Sequence, residues 1–274
     1  MDSRMSFGVD TAPCSNTHGR HVMGVLRLQK GVIYGPVRSR RLGKSLGINV
    51  LPSDKKVCTF DCCYCQYGRT RNPGDLPERL PAVERILEAV EAALKESRSL
   101  DAITFSGNGE PTVHPDFPAI VREVRHLRDR LAPGVPIALL SNSSLSMDER
   151  IRTAISGVEL RIMKLDVGNQ EMLAALNGPG QGIDLERIIS GLAQIPDTII
   201  QALFVKGSVD NRSDAELRDW LSALSRIRPM EIQIYSLDRP VPEKGLKAVD
   251  MKELESICEL VKTELDLKAR TYGR

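Results

Sequence analysis

Aromatic side chains are scarce in this 274-residue chain: one Trp, five Tyr and five Phe amount to 4% of it. Single-stranded nucleic acid is usually held by aromatic side chains on which bases stack, so a broad base-stacking surface is not expected. The net charge is also small, +2 from 38 basic and 36 acidic residues, which excludes the general attraction to polyanions of a strongly basic chain. No apolar run approaches the roughly 18 residues of a membrane-spanning helix. The longest uncharged stretch, Leu131 to Met147, is interrupted by Pro133, Gly134, Pro136 and serines, and no membrane partner is expected. The first 22 residues lack the apolar core of roughly 7–15 residues that a signal peptide needs. The expected compartment is therefore the cytoplasm, where thiols stay reduced.

Cysteine is sparse except in one place. Of six cysteines, Cys58, Cys62, Cys63 and Cys65 fall within eight residues, leaving only Cys14 and Cys258 elsewhere. In a reducing compartment such crowding points to a metal or to catalysis rather than to disulfides. The rest of the composition, 41% apolar and 27% charged, is that of a globular protein.

Residues 1–22 show no periodicity and are expected to be a mobile extension, with residues 23–274 forming a single domain. Leu46, Ile48 and Val50 alternate as in a half-buried strand. Val83, Ile86, Leu87, Val90 and Leu94 then form one apolar helical stripe after Pro81, which suits a first turn. Strand-like and helix-like segments follow in turn: 102–107, then Ile120, Val124, Leu127 and Leu131; 137–142; 159–167, then Leu185, Ile188, Ile189 and Leu192. The same order repeats with 198–207, then Leu217, Trp220, Leu221 and Leu224, and with 231–237, then Met251, Leu254, Ile257, Cys258 and Val261. Six βα units imply an α/β fold with a parallel sheet; periodicity alone fits a barrel or a doubly wound sheet. In either, the chemistry belongs at the carboxyl ends of the strands, where the cysteines, GNGEPT, SNSS, KLDVGN, VKGSVDN and YSLDRP fall.

The spacing of Cys58, Cys62 and Cys65, C-x3-C-x2-C, lets three thiolates converge on one metal centre. A structural zinc or an ordinary iron–sulfur cluster takes four protein ligands. Cys63 is badly placed to be the fourth because Cys62 adjoins it, and three ligands leave a metal position open for catalysis. With Tyr64 before the last cysteine, this segment resembles the signature of the radical S-adenosylmethionine (SAM) superfamily. The segment Ser106-Gly107-Asn108-Gly109-Glu110-Pro111-Thr112 resembles that superfamily's glycine-rich motif. GPVRSRRLGKSLGINVLP and IYSLDRPVPEKGL resemble one branch, the Fe–S oxidoreductases related to wyosine-tRNA synthesis enzymes.

The resemblance implies a partial (β/α)6 barrel. It implies a 4Fe-4S cluster held by Cys58, Cys62 and Cys65, with SAM on the fourth iron. An electron from the cluster would cleave SAM to methionine and a 5'-deoxyadenosyl radical that abstracts hydrogen from the substrate. Tyr64 is expected beside the adenine, and Gly107, Asn108, Gly109 and Glu110 at the SAM amino group. Ser141 and Asn142 read either as contacts to the SAM ribose or as a turn or cap. Lys164 and Asp166 share a face and read as SAM or substrate contacts, with a structural ion pair as the alternative. Gln201 and Arg239 carry the same ambiguity between substrate contact and structural bonding. A one-electron donor such as ferredoxin or flavodoxin is implied. The substrate candidates are an RNA base, a protein or peptide, and a small molecule. RNA finds its support in the basic run of Arg38, Arg40, Arg41 and Lys44, which suits a structural role equally. A non-enzymatic metal-binding module, with structural zinc, is the remote alternative. Cys63 is read as a bystander, Cys258 as core, and Cys14, His18 and His21 as a polar-tail trio without a site.

Overall fold

The computed structural model describes residues 25–273. The expected extension over residues 1–22 and the Cys14, His18 and His21 trio lie outside the described residues. The first elements of the described residues form an antiparallel hairpin of β1 (Ile33–Ser39) and β2 (Gly43–Ile48). Then come α1 (Val83–Glu96), β3 (Ala102–Phe105), α2 (Phe117–Leu131), β4 (Ile137–Ser141), α3 (Glu149–Ser156) and β5 (Leu160–Lys164). Two helices follow, α4 (Gln170–Asn177) and α5 (Leu185–Leu192), before β6 (Ile199–Leu203) and β7 (Val205–Gly207). The remainder is α6 (Asp214–Ile227), β8 (Glu231–Tyr235), β9 (Leu246–Ala248), α7 (Met251–Leu265) and β10 (Ala269–Tyr272).

Eight strands form one sheet in the order β1-β2-β3-β4-β5-β6-β8-β10, parallel from β2 onwards. The two edges, β1 and β10, do not pair, so this is the expected partial barrel. The sequence pattern implies six parallel strands, and β10 adds a seventh. The segment 198–207, expected as one strand, divides at Phe204 into β6 and β7, and β7 leaves the main sheet to pair with β9.

Residues in register on parallel strands share a face, and successive residues alternate. One set of rows is apolar: Leu46, Ile103 and Ile137; Ile48, Phe105 and Leu139; Met163, Ile200 and Ile232. The helices cover this face, with Phe105 meeting Phe117 of α2 edge-on at 5.6 Å. Each fully buried Ile, Leu or Phe contributes roughly 1.5–3 kcal/mol, enough over these rows to fix the sheet against its helices. The opposite rows, turned away from the helices, include small and polar residues, Gly47 and Thr104, then Lys164, Gln201, Gln233 and Arg270, beside the apolar row of Leu140, Ile162 and Ile199. Tyr34 lies across Gly47, where an added Cβ would come within 2.1 Å of its ring.

Candidate active site

Cys58, Cys62 and Cys65 lie in the long irregular segment between β2 and α1, which crosses the carboxyl ends of the strands. Backbone bonds fix its path. Val57 pairs with Gly109 in a parallel bridge; its N–H donates to Asn108 O at 2.9 Å, and the Glu110 N–H donates to Val57 O at 3.0 Å. The N–H groups of Asp61 and Cys63 donate to Gly178 O and Leu176 O at 2.8 and 3.0 Å. Glu243, in the segment after β8, donates its N–H to Cys63 O at 3.3 Å. The loop is thus sewn to the ends of three different elements. Cys63 is fully buried and makes two of these attachments through its own N–H and carbonyl.

None of the three outer cysteines is in a disulfide. Burial pushes the Cys58 thiol up to about 12 and the Cys62 thiol up to about 11. Burial also works against the Lys56 ammonium, yet the sulfurs of Cys65, Cys58 and Cys62 outweigh it and hold the lysine above its ordinary value. Asn142 Nδ2 lies 3.5 Å from Cys58 Sγ and Asn177 Nδ2 lies 3.5 Å from Cys62 Sγ. Each of these two sulfurs thus has an amide donor aimed at it.

The glycine-rich segment also holds the cysteine loop in place. Gly107 (φ +131°) and Gly109 (φ +142°) sit where side chains are strained. Their open sides are filled by the protein, because a Cβ would lie 2.6 Å from Asn49 Oδ1 and 1.7 Å from Val57 O respectively. The expectation that Asn108 contacts the cofactor is corrected for its side chain. Asn108 is fully buried, donates to Gln29 O and Pro52 O, and accepts from Gln29 N. Glu110 is also turned inward. Its Oε1 accepts from Thr112 N, Thr112 Oγ1 and Ser141 Oγ, and its Oε2 accepts from Asn142 N at 2.5 Å. Burial raises its pKa, against the pull of these donors. Ser141 therefore ties β4 to the glycine-rich loop, whereas Asn142 also reaches Thr59 Oγ1 at 2.7 Å beside Cys58.

Lys164 and Asp166 meet at the end of β5 with Nζ and Oδ1 3.4 Å apart. Asp166 Oδ2 accepts from the Tyr64 hydroxyl and from Asn177 Nδ2, and its Oδ1 accepts from Leu203 N at 2.8 Å. Lys164 also donates to Tyr235 Oη at 2.9 Å, with its ammonium 5.1 Å from the Tyr64 ring centre. Burial disfavours this ammonium, but Asp166 and Tyr235 outweigh it and hold its pKa above the ordinary lysine value. Burial and Asp166 together raise the Tyr64 hydroxyl, which stays protonated and donating. Asn177 escapes sequence reasoning. It ends α4, where the following Gly178 takes a left-handed conformation (φ +52°); the Asn-Gly-Pro-Gly run is the available signal. Its Oδ1 is buried without a partner. It borders a hollow of 10 Å3, about one water's worth, whose lining includes Phe60, Asn142, Lys164 and Asp166.

Three of the four residues of the basic run have partners within the fold. From the β1–β2 turn Arg40 reaches Asp238 at 2.6 Å, and the Arg41 guanidinium stacks 4.8 Å from the Tyr235 ring centre. Lys44 Nζ donates to Arg98 O at 2.9 Å, and Arg38 is exposed. Arg239 is exposed too, and Cys258 is buried in the core as expected. Gln201 accepts from Tyr235 Oη at 3.3 Å on the inner face of the sheet. A surface groove of 790 Å3 between α2 and α3 includes no strand-end residue, and the chemical groups converge instead at the cysteine loop. No helix is long and apolar enough to cross a membrane among the described residues.

This arrangement of fold and loop is that of an α/β barrel with a three-cysteine centre at its strand ends, and the sequence comparisons identify the class. The chain belongs to the radical SAM superfamily, whose sequence model matches residues 55–202. It is 31% identical to the UPF0026 protein MJ1312 of Methanocaldococcus jannaschii, over 84% of this chain and 70% of that protein. It is 29% identical to a protein of Brachyspira hyodysenteriae named GTPase Obg, over 84% of this chain but only 33% of that longer protein. Among solved structures it resembles TYW1 with a lysine-pyruvate adduct bound: TM-score 0.58 at 16% identity, over 82% of this chain and 74% of that one.

Members of the superfamily bind a 4Fe-4S cluster and SAM, and these are the cofactors of this chain. The residues present fit them. Beside a cationic centre the thiols of Cys58, Cys62 and Cys65 would become thiolates. Among the described residues no three His, Cys, Asp or Glu side chains are grouped as ligands of a single ion; a cluster asks instead for one thiolate at each of three irons. The unpaired Asn177 Oδ1 offers an acceptor to a ligand beside the loop.

Proposed function

We propose that the protein is an enzyme of reductive SAM cleavage acting on a substrate held in its barrel. When bound, the cluster supplies the electron that splits SAM into methionine and a 5'-deoxyadenosyl radical able to take hydrogen from that substrate. Cys58, Cys62 and Cys65 hold the cluster, and the Asn142 and Asn177 amides support two of their sulfurs. Tyr64 packs beside the adenine with its hydroxyl locked by Asp166. Asn177 Oδ1 and the Lys164–Asp166 pair present polar contacts to the rest of SAM. Gly107, Gly109 and Glu110 act mainly by seating the cysteine loop on β3 and β4, and Asn142 carries that order to Cys58. An external one-electron donor of the ferredoxin or flavodoxin kind, in a reducing cytoplasm, completes the system.

The observation that carries this reading is the convergence of amide donors from β4 and α4 on the sulfurs of a three-cysteine loop. The test is anaerobic. After reconstitution with iron and sulfide, addition of SAM and dithionite should yield 5'-deoxyadenosine. Cys62→Ala should reduce the yield to background and lower the bound iron. If cluster-loaded protein gives no product and SAM leaves the EPR signal of the reduced cluster unchanged, the reading is wrong.

A further inference from the structure

Two lysines precede the first cysteine of the loop; Lys55 is exposed and Lys56 is half-buried. The difference follows from Val57, whose side chain is buried and whose backbone is held by its parallel bridge to Gly109. In extended backbone the residues on either side of a position point the same way, so Lys56 leaves the chain on the side of Cys58. Its Nζ then crosses to the other end of the loop and donates to Gly68 O at 2.7 Å. Gly68 is itself bonded through its N–H to Cys65 O at 2.9 Å. The lysine thus clasps the segment before the first cysteine to the turn after the last one, and its ammonium acts on the sulfurs of Cys65, Cys58 and Cys62 together.

That charge is not matched by an acid. Among the described residues no carboxylate lies within ion-pair distance of Lys56, and Asp61 of the same loop is paired with Arg69 at 3.3 Å. The other lysine that acts on a loop sulfur, Lys164, has Asp166 at 3.4 Å. Taking an ammonium partly out of water costs free energy that a neutral side chain would not, and one bond to a carbonyl offsets only part of it. An unmatched cation fixed beside three sulfurs is complementary to a centre of negative charge held by them.

We propose that Lys56 is the fixed counter-charge of the cysteine centre, a residue whose ammonium makes the bound cluster easier to reduce. The proposal rests on the reading given under Proposed function, because it takes a cluster to be what the three thiols hold. One-electron reduction, with the electron drawn from an external donor or from dithionite, adds one negative charge to a centre already bound by three thiolates. Net charge, hydrogen bonds to the sulfurs and solvent exposure set the potential of such clusters. A cation clasped beside the sulfurs attracts the added charge and favours the reduced form.

The experiment is an anaerobic redox titration of the full chain, reconstituted with iron and sulfide and followed by the EPR signal of the reduced cluster without SAM. Lys56→Met keeps the apolar stem and loses the charge, and Lys56→Gln loses the charge but keeps an N–H donor. Each should make reduction at least tenfold less favourable, about 59 mV for one electron. Lys56→Arg should stay within about threefold of wild type, and so should Lys55→Gln, which removes an equal charge at the exposed neighbour. Iron content is measured alongside. Loss of iron from both neutral variants with retention in Lys56→Arg would support the proposal, because the charge is then what holds the centre. Loss from all three would mean a structural clasp and overturn it. An unchanged potential in an iron-loaded neutral variant would overturn it too, as would an equal shift in Lys56→Arg or in Lys55→Gln. SAM cleavage by reconstituted wild type is assayed on the same preparation. Its absence would sink the functional reading itself, whereas cleavage with an unshifted potential in the neutral variants would sink only the role of Lys56.

Discussion

At Gly109 a single methyl group decides whether the cysteine loop can reach its seat. An added Cβ would lie 1.7 Å from Val57 O, a backbone atom held by its own hydrogen bond, and the φ of +142° is one that only glycine adopts readily. Gly109→Ala is expected to cost about 3–5 kcal/mol locally and to reduce iron retained after reconstitution to near background. Iron and sulfide content, read beside the far-UV circular dichroism spectrum, checks this; normal iron loading would refute it. The GNGEPT motif is legible in the sequence, where its glycines read as making room for a ligand. In the structure they make room for Val57 and Asn49. A sequence shows that a backbone must come close to something and does not show to what.

The elements most plainly legible are those whose burial follows one period. The stripe Ile86, Val90 and Leu94 lies buried on α1, as its spacing requires. Helix α4 escapes because it is eight residues long and buries only Leu173, Leu176 and Asn177, too few for a stripe. It nevertheless delivers Asn177 to Cys62 and Tyr64, and its start depends on Asn169. That side chain caps Met172 N at 2.8 Å and donates to Glu216 and Asp219 of α6, both at 2.9 Å. Asn169→Ala should lower stability by about 1–2 kcal/mol, a fall of roughly 2–6 °C in the unfolding midpoint. Hydrogen exchange should show faster opening of residues 170–177 than of α1. Equal protection of the two helices in the variant would mean that α4 is held by its packing alone.

Across the whole molecule, one ion pair joins three elements and makes stability depend on pH. Arg128 of α2, nearly buried, donates to Glu159 at 2.9 Å, and Glu159 also accepts from Ile137 N at the start of β4. Partial burial pushes the Glu159 carboxyl up, but Arg128 and the Ile137 N–H outweigh it and bring its pKa below the ordinary value. A folded-state pKa below the unfolded one gives stability that is present above the ordinary Glu value of about 4.3 and lost as pH falls through the folded value. Glu159→Gln should therefore be less stable than wild type at pH 7, by about 1 kcal/mol after allowance for the exposed side of the carboxylate. The difference should shrink as the pH drops below about 4. Urea midpoints at pH 7 and pH 3 measure it, and a gap that widens in acid would contradict this account. The open side of the barrel is also a whole-molecule feature: β1 and β10 do not pair, and Arg40 and Arg41 span toward Asp238, Tyr235 and Tyr272 instead.

By itself the sequence determined the parallel α/β class, the three-cysteine centre and the superfamily, because periodic burial and close spacing of ligands are properties of short stretches of chain. Only the tertiary structure decided that Asn177 joins Cys62 and Tyr64, residues 115 and 113 positions away. It alone decided that Arg40 closes on Asp238 across 198 positions, and that Gln201 and Gln233 stand side by side on β6 and β8. Such pairings depend on strand register and on how far the sheet curls, and both are set by packing across the whole barrel rather than by any local pattern.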